Sequence, residues 1–204
     1  MLRRRSIVQV LFAVAALSIA SVSAGPAAHA AESGADGFIK KIGKEAIDSL
    51  TGQNLSDAER EKRFRAILKR SFNVKLIARF TLGRYWRRAT KKQQEEYVGL
   101  FEDFIVQAYA ARFKDYKGEK FEVSYARDIN ERDKLVLSNL NLTDGRTIPV
   151  HWRVRGNSDY KVIDVLVEGI SMAITQRDEF SAIINQKGGK VEGLLVALRE
   201  KTRK

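Results

Sequence analysis

The sequence predicts an α+β domain in which a curved, four-stranded antiparallel sheet is wrapped by about six to seven helices. Three observations predict it. Apolar residues recur at helical spacing from Phe38 to Ala111, alternate from Lys120 to Glu168, and return to helical spacing from Phe180 to Leu198. Inside the alternating half, Asp144-Gly145 supplies the residues of a tight hairpin turn. The 204 residues less a 30-residue leader leave 174, a length that one hydrophobic core holds together.

Each element has its own signal. Phe38, Ile39, Ile42, Ala46, Ile47 and Leu50 share a helical face, and Thr51-Gly52 ends the run. Ser56 with Glu59 is a capping-box pair that opens a second helix, striped by Phe64, Ile67, Leu68 and Phe72. Asn73 caps a shorter helix through Ile77 and Phe80, closed by Gly83. Thr90 with Gln93 opens the longest helix, along Tyr97, Leu100, Phe101, Phe104, Ile105, Ala108 and Ala111, and Gly118 marks its exit.

Strands follow. Phe121, Val123 and Tyr125 point one way, and Leu135 to Leu142 is a second β-rich run. Ile148, Val150, Trp152 and Val154 alternate with Pro149, His151, Arg153 and Arg155, giving one buried and one solvated face. Tyr160 to Glu168 is apolar on both faces in its later half, as a central strand is, and Gly169 ends it. Phe180, Ile183 and Ile184 belong to a helix stopped at Gly188-Gly189, and Val191, Leu194, Leu195 and Leu198 to the last helix.

The N-terminus says where the protein works. Arg3, Arg4 and Arg5 precede an apolar stretch, Ile7 to Ala20, that is too short to span a bilayer, and Ala28-His29-Ala30 fits a signal-peptidase site. Residues 1–30 are therefore expected to be a cleaved secretory signal, and residues 31–204 a single domain that is soluble in the periplasm of a two-membrane bacterium. No Cys at the cleavage site offers a lipid anchor. The leader carries three basic residues and no acid, so the net charge of +12 falls to +9 after cleavage. In that compartment a basic surface meets phospholipid headgroups and acidic protein patches, whereas export excludes nucleic acid as the partner.

Catalytic constellations fail. With no cysteine, thiol catalysis, thiolate metal sites and disulfides are all excluded. Gly169-Ile170-Ser171-Met172-Ala173 has the outline of a nucleophile elbow, but no histidine follows Ser171 to act as its base. Ser171 reads instead as a local cap, and the protein as a non-enzyme without cofactor or metal.

Two local features stand out. Around Arg79 to Lys92, aromatics interleave with Arg84, Arg87, Arg88, Lys91 and Lys92 and no acid. Such a run is either a helix junction with solvated cations or a rim that faces headgroups, since Tyr and Trp suit the boundary between tails and heads. The other feature is the inner face of the sheet, with Val123, Tyr125, Val150, Trp152, Val165 and Val167, which is either core or cavity wall.

These segments together resemble a family. Arg79-Phe80-x-Leu82-Gly83-Arg84-Tyr85-Trp86, then Thr90 and Gln93, Leu100-Phe101-x-x-Phe104 with Tyr109 and Phe113, and Asp164-Val165-x-Val167-Glu168-Gly169-Ile170-Ser171-Met172 with Gln176-Arg177 and Phe180 are similar to MlaC proteins. Those are periplasmic phospholipid carriers of the Mla pathway, also called toluene-tolerance auxiliary proteins, with a branch associated with hopanoid biosynthesis. The resemblance spans about Ser56 to Leu198. It implies a soluble shuttle whose sheet and helices enclose an apolar lipid cavity, with phospholipid as cargo. The implied wall is Phe80, Leu82, Tyr85, Trp86, Phe104, Tyr109 and Met172 together with the six inner-face residues. Arg84, Arg87, Arg88, Lys91 and Lys92 become a docking or headgroup rim. The implied partners are an inner-membrane ABC transporter complex, an outer-membrane lipoprotein complex and, transiently, the membrane surface. The competing expectation is an envelope adaptor with a filled core and a basic binding face.

Overall fold

Six α-helices and a five-stranded antiparallel meander build the domain, in a computed structural model that describes residues 34–52 and 54–203. The expected leader and its cleavage site lie outside the described residues. Helices α1 (Ala35–Leu50), α2 (Asp57–Ser71), α3 (Val74–Leu82) and α4 (Lys91–Ala110) come first, with 3-10 turns at Gly83–Arg87 and Ala111–Asp115. Strands β1 (Lys120–Asp128), β2 (Asp133–Asn141), β3 (Thr147–Arg155), β4 (Lys161–Val167) and β5 (Ile170–Ser171) pair in sequence order, and α5 (Met172–Gln186) and α6 (Val191–Thr202) close the chain.

Capping chemistry sets the helix starts. The side chains of Ser56, Asn73 and Thr90 accept the backbone N–H of Glu59, Leu76 and Gln93, and Gln93 completes its box by accepting from Thr90 N–H. Glu59 does not return the bond, because Lys62 and Arg63 take its carboxylate. At the end of α3, Gly83 has φ 57°, a conformation that glycine enters without strain, and its N–H closes on the carbonyls of Arg79 and Phe80. α4 ends at Ala110, eight residues before the expected exit at Gly118, because the chain tightens into the 3-10 turn of Ala111–Asp115.

The sheet corrects three expectations. It has five strands, not four: after Gly169 the chain turns back and Ile170–Ser171 pairs with Leu166 and Val167. β4 is not central, since beyond it stand only the two-residue β5 and an isolated bridge from Phe72 to Val162. Its apolar residues are used nonetheless: Val162 and Val165 pack into the sheet-side cluster, and α5, α3 and α2 all lie against the strand. Tyr125 does not share the face of Val123. Val123 pairs with Ser138 and Tyr125 with Leu137, so Ser124 is an extra residue that turns Tyr125 to solvent, 54% exposed, while Ala126 packs inward. A second bulge at Ile163 brings both Val162 and Val165 inward, and the two bulges bend the sheet.

The core is divided. One cluster is all helical, with Leu82, Tyr85, Tyr97, Phe101, Phe104, Phe180, Ile184, Leu194 and Leu195 among its buried members. The other lies between α1–α2 and the inner face of the sheet, around Ile39, Leu50, Ile67, Val136, Val154 and Val162. α1 is tied to α2 by Arg60, only 2% exposed, whose guanidinium donates to the carbonyls of Leu50 and Gly52 and to Asp57. It satisfies carbonyls that the end of α1 leaves open and places a cation at the negative pole of that helix.

Candidate functional site

The residues singled out from the sequence fall into three environments. Leu82, Tyr85 and Phe104 are buried in the helical cluster, and Trp86 packs on its edge. Tyr85 is fixed there: its hydroxyl donates to Asn185 Oδ1 at 2.6 Å and accepts from Arg84 at 3.0 Å. Phe101, Phe104 and Tyr97 each meet the Phe180 ring, with centroids 5.8–6.3 Å apart. Burial holds the Tyr97 phenol well above its ordinary pKa, opposed by its hydrogen bond with Thr81, so the ring stays neutral. Leu82, Tyr85 and Phe104 are thus packed within the helical cluster, with Trp86 half-buried at its edge.

Val123, Trp152 and Val165 belong to the second environment, packed against the sheet-side cluster. Val150 and Val167 pair directly across β3 and β4 on the same face as Trp152, half-buried and outside the packed cluster. Trp152 is oriented by Nε1–H donation to Ser138 Oγ at 3.0 Å, and the Ser138 hydroxyl donates in turn to the Val150 carbonyl. The polar inner-face group is thereby satisfied.

The remaining residues sit elsewhere. Phe80 is 42% exposed on α3 beneath the Arg177 guanidinium, Tyr109 is half-buried under Arg112, Met172 opens α5, and Tyr125 faces solvent across the bulge. Arg84, Arg87, Arg88, Lys91 and Lys92 are all exposed, and among the described residues none pairs with a carboxylate. Arg84 and Arg88 stack on the Tyr85 ring at 5.1 and 5.7 Å, so the junction is rigid while its charges face water.

What distinguishes the sheet-side layer is incomplete burial of large rings. Phe38, Phe64, Phe72, Phe113, Phe121 and Trp152 surround it, all half-buried. Phe121 meets Trp152 at 6.0 Å and Trp152 meets Phe72 at 6.5 Å. Beside this series an open cleft of about 400 Å³ runs along the α1–β1 seam, lined by Lys40, Lys44, Ile47, Asp48, Phe121 and Val123. It is open where the sequence led us to expect an enclosed cavity. Sequence reasoning missed this cleft because Lys40, Lys44 and Asp48 look like the ordinary polar flank of an amphipathic helix and Ile47 like part of its buried stripe. Only Gly43, inside a helical run, signals a close approach there.

Ser171 is the N-cap of α5: its hydroxyl accepts Ile174 N–H at 3.1 Å and donates to Asp164 at 2.6 Å, and Asp164 also accepts Ala173 N–H. Both of its bonds are structural. Where β2 begins and β3 ends, Arg155 grips the Asp133 carboxylate through two nitrogens, and that bond holds the carboxyl below its ordinary pKa. No helix among the described residues is long and apolar enough to cross a membrane.

Comparison with known proteins places this geometry. Residues 40–200 match the family model of the MlaC protein. The intermembrane phospholipid transport system binding protein MlaC of Haemophilus influenzae is 22% identical over 122 residues. That stretch covers 57% of this chain and 56% of the relative, so the match spans little more than half of the relative's length. A solved structure of a phospholipid-binding protein from Ralstonia solanacearum, in complex with a phospholipid, superposes with a TM-score of 0.74. It covers 82% of this chain and 96% of that one at 20% identity, a likeness of fold.

Proposed function

The chain belongs to the MlaC family, and on that premise we propose that it is a non-enzymatic carrier that shields the acyl chains of a phospholipid between α1–α2 and the inner face of the sheet. The observation that carries this reading is the ring of half-buried aromatics around the sheet-side cluster, next to an open cleft. A core built only for stability buries its largest apolar groups fully, because each square ångström removed from water contributes about 25 cal/mol. The helical cluster buries Tyr85, Tyr97, Phe101, Phe104 and Phe180 and leaves only Trp86 at its edge, whereas on the sheet side Tyr160 alone is buried and six rings stay half-exposed, which leaves apolar surface for a ligand to cover.

The energetics suit a carrier. About 30 methylenes at ~0.8 kcal/mol each give a gross gain above 20 kcal/mol, so tails alone capture a lipid without a tight headgroup lock. Exchange with an inner-membrane transporter and an outer-membrane lipoprotein complex, after export by the leader into the periplasm, completes the reading. The exposed cations from Arg84 to Lys92 serve as the docking rim and transient membrane contact.

Organic extraction of the purified chain followed by mass spectrometry tests it. Stoichiometric phospholipid is expected. Hopanoid in its place would move the cargo to that lipid class, and absence of any lipid would leave an adaptor with a basic face.

A further inference from the structure

The geometry points to the α1–β1 cleft as the portal through which the lipid enters and leaves, with its phosphate received by Lys40 and Lys44 and with Phe121 as the side chain that yields. This rests on the carrier reading and names the route it uses. Three observations converge on it.

First, the cleft is amphipathic in the order a phospholipid requires. Lys40 and Lys44 stand one helical turn apart on α1, both exposed, above a floor of Ile47, Phe121 and Val123. Lys44 is paired with Asp48 at 2.5 Å, and Lys40 has no carboxylate partner among the described residues. Two ammonium groups beside one carboxylate complement a headgroup that carries a phosphate and an amine, and the apolar floor below complements the upper part of a chain.

Second, the floor is continuous with the interior layer. Phe121 and Val123 line the cleft and also pack against the sheet-side cluster, and the Phe121–Trp152–Phe72 series runs inward from them. Displacing one ring therefore connects the surface with the layer that would hold the tails.

Third, the seam is built on a minimal contact. A Cβ on Gly43 would lie 2.5 Å from two Phe121 ring carbons, so only glycine lets α1 rest on that ring. Glycine in a helix interior costs up to about 1 kcal/mol relative to Ala, a cost that this close approach accounts for.

The absence of any native cysteine among the described residues permits a clean test. A Cβ at position 43 lies 3.6 Å from Phe121 Cγ, where the sulfur of a Cys at 121 would sit, within bridging reach. In Gly43→Cys/Phe121→Cys, exchange of deuterated phosphatidylethanolamine with vesicles is expected to slow at least about tenfold on oxidation and to recover on reduction. Equal rates in the two redox states, with lipid present, overturn the portal and leave the carrier reading standing. A wild-type chain that yields no lipid overturns both. Should the cysteine pair fail to fold, Ile47→Trp fills the same cleft with Phe121 left in place, and normal exchange by that variant also overturns the portal. Lys40→Gln/Lys44→Gln is expected to keep its thermal stability and take up lipid several-fold more slowly; wild-type uptake removes the phosphate assignment.

Discussion

Replacing Val150 by Lys separates a ligand-facing wall from a filled core. Val150 is half-buried, lies opposite Val167 and stands outside the packed cluster, whereas Val136 on the neighbouring strand is 0% exposed and at its centre. Val136→Lys would bury an unpaired ammonium, at a cost of about 3–5 kcal/mol. In a domain of this size each kcal/mol moves the melting temperature by about 2–4 °C, so a loss of roughly 6–20 °C is expected. At Val150 water reaches the new charge, and the cost stays within about 1 kcal/mol, a few degrees at most. A lipid tail laid over that position must desolvate the ammonium, and every 1.4 kcal/mol so lost weakens retention about tenfold. The assay is a thermal melt of lipid-stripped protein together with quantified lipid after purification. The expected pattern is near-normal melting with depleted lipid for Val150→Lys, and collapse for Val136→Lys. If Val150→Lys melts as early as Val136→Lys, or keeps full lipid, the inner face is packed core and the argument from half-burial is wrong.

The other predictions concern the C-terminal end of α1, the basic rim and the β2–β3 strand ends. Arg60→Met leaves the carbonyls of Leu50 and Gly52 without their donor and should cost about 2–4 kcal/mol, read as an earlier melt. Replacing Arg87, Arg88, Lys91 and Lys92 with Gln should slow transfer between vesicles and flatten its salt response while bound lipid stays constant, because steering is screened over about 8 Å at physiological salt. An unchanged rate and salt response would make the cluster a solvated helix junction. At the paired ends of β2 and β3, Asp133 is held below its ordinary value of 3.8 by Arg155, so its contribution to stability is complete above that pH and is lost as pH falls through the lowered value. Asp133→Asn should lower stability at neutral pH and weaken the acid dependence below 3.8, as followed by melts over an acid series.

Most of the fold was legible because its punctuation is chemical. Ser56, Asn73 and Thr90 each announced a helix start that the structure places within a residue, since a short side-chain oxygen ahead of a helical stripe has one good use, to accept the backbone N–H three residues on. Asp144-Gly145 fixed the β2–β3 hairpin in the same way. What escaped was set by pairing. Strict alternation assumes an unbroken ladder, so the extra residue at Ser124 reversed the side assigned to Tyr125, and Ile163 reversed the parity along β4. The two-residue β5 is too short to carry any period. Motif residues also clustered less than their spacing suggested: Leu82, Tyr85 and Phe104 serve the helical core, while Phe38, Phe72 and Phe121, read only as stripe residues, surround the layer proposed for the ligand.

That division has a consequence for how the domain can yield. Parting the helical cluster would expose Tyr97, Leu82, Ile184, Leu194 and Leu195, all at 0%, and break the Tyr85–Asn185 and Thr81–Tyr97 hydrogen bonds. At about 1.5–3 kcal/mol for each fully buried side chain, this alone consumes the 5–15 kcal/mol that holds a typical domain together. Parting α1 from β1 exposes Phe121, Val123 and Phe38, which already meet water, adds only Ile39 and Ile42 among fully packed side chains, at 1% and 7%, and leaves the Arg60 anchor at the far end of α1 intact. The cheaper opening is therefore on the sheet side. Only there would the apolar surface so uncovered meet the acyl chains of the proposed cargo, which would cover it again.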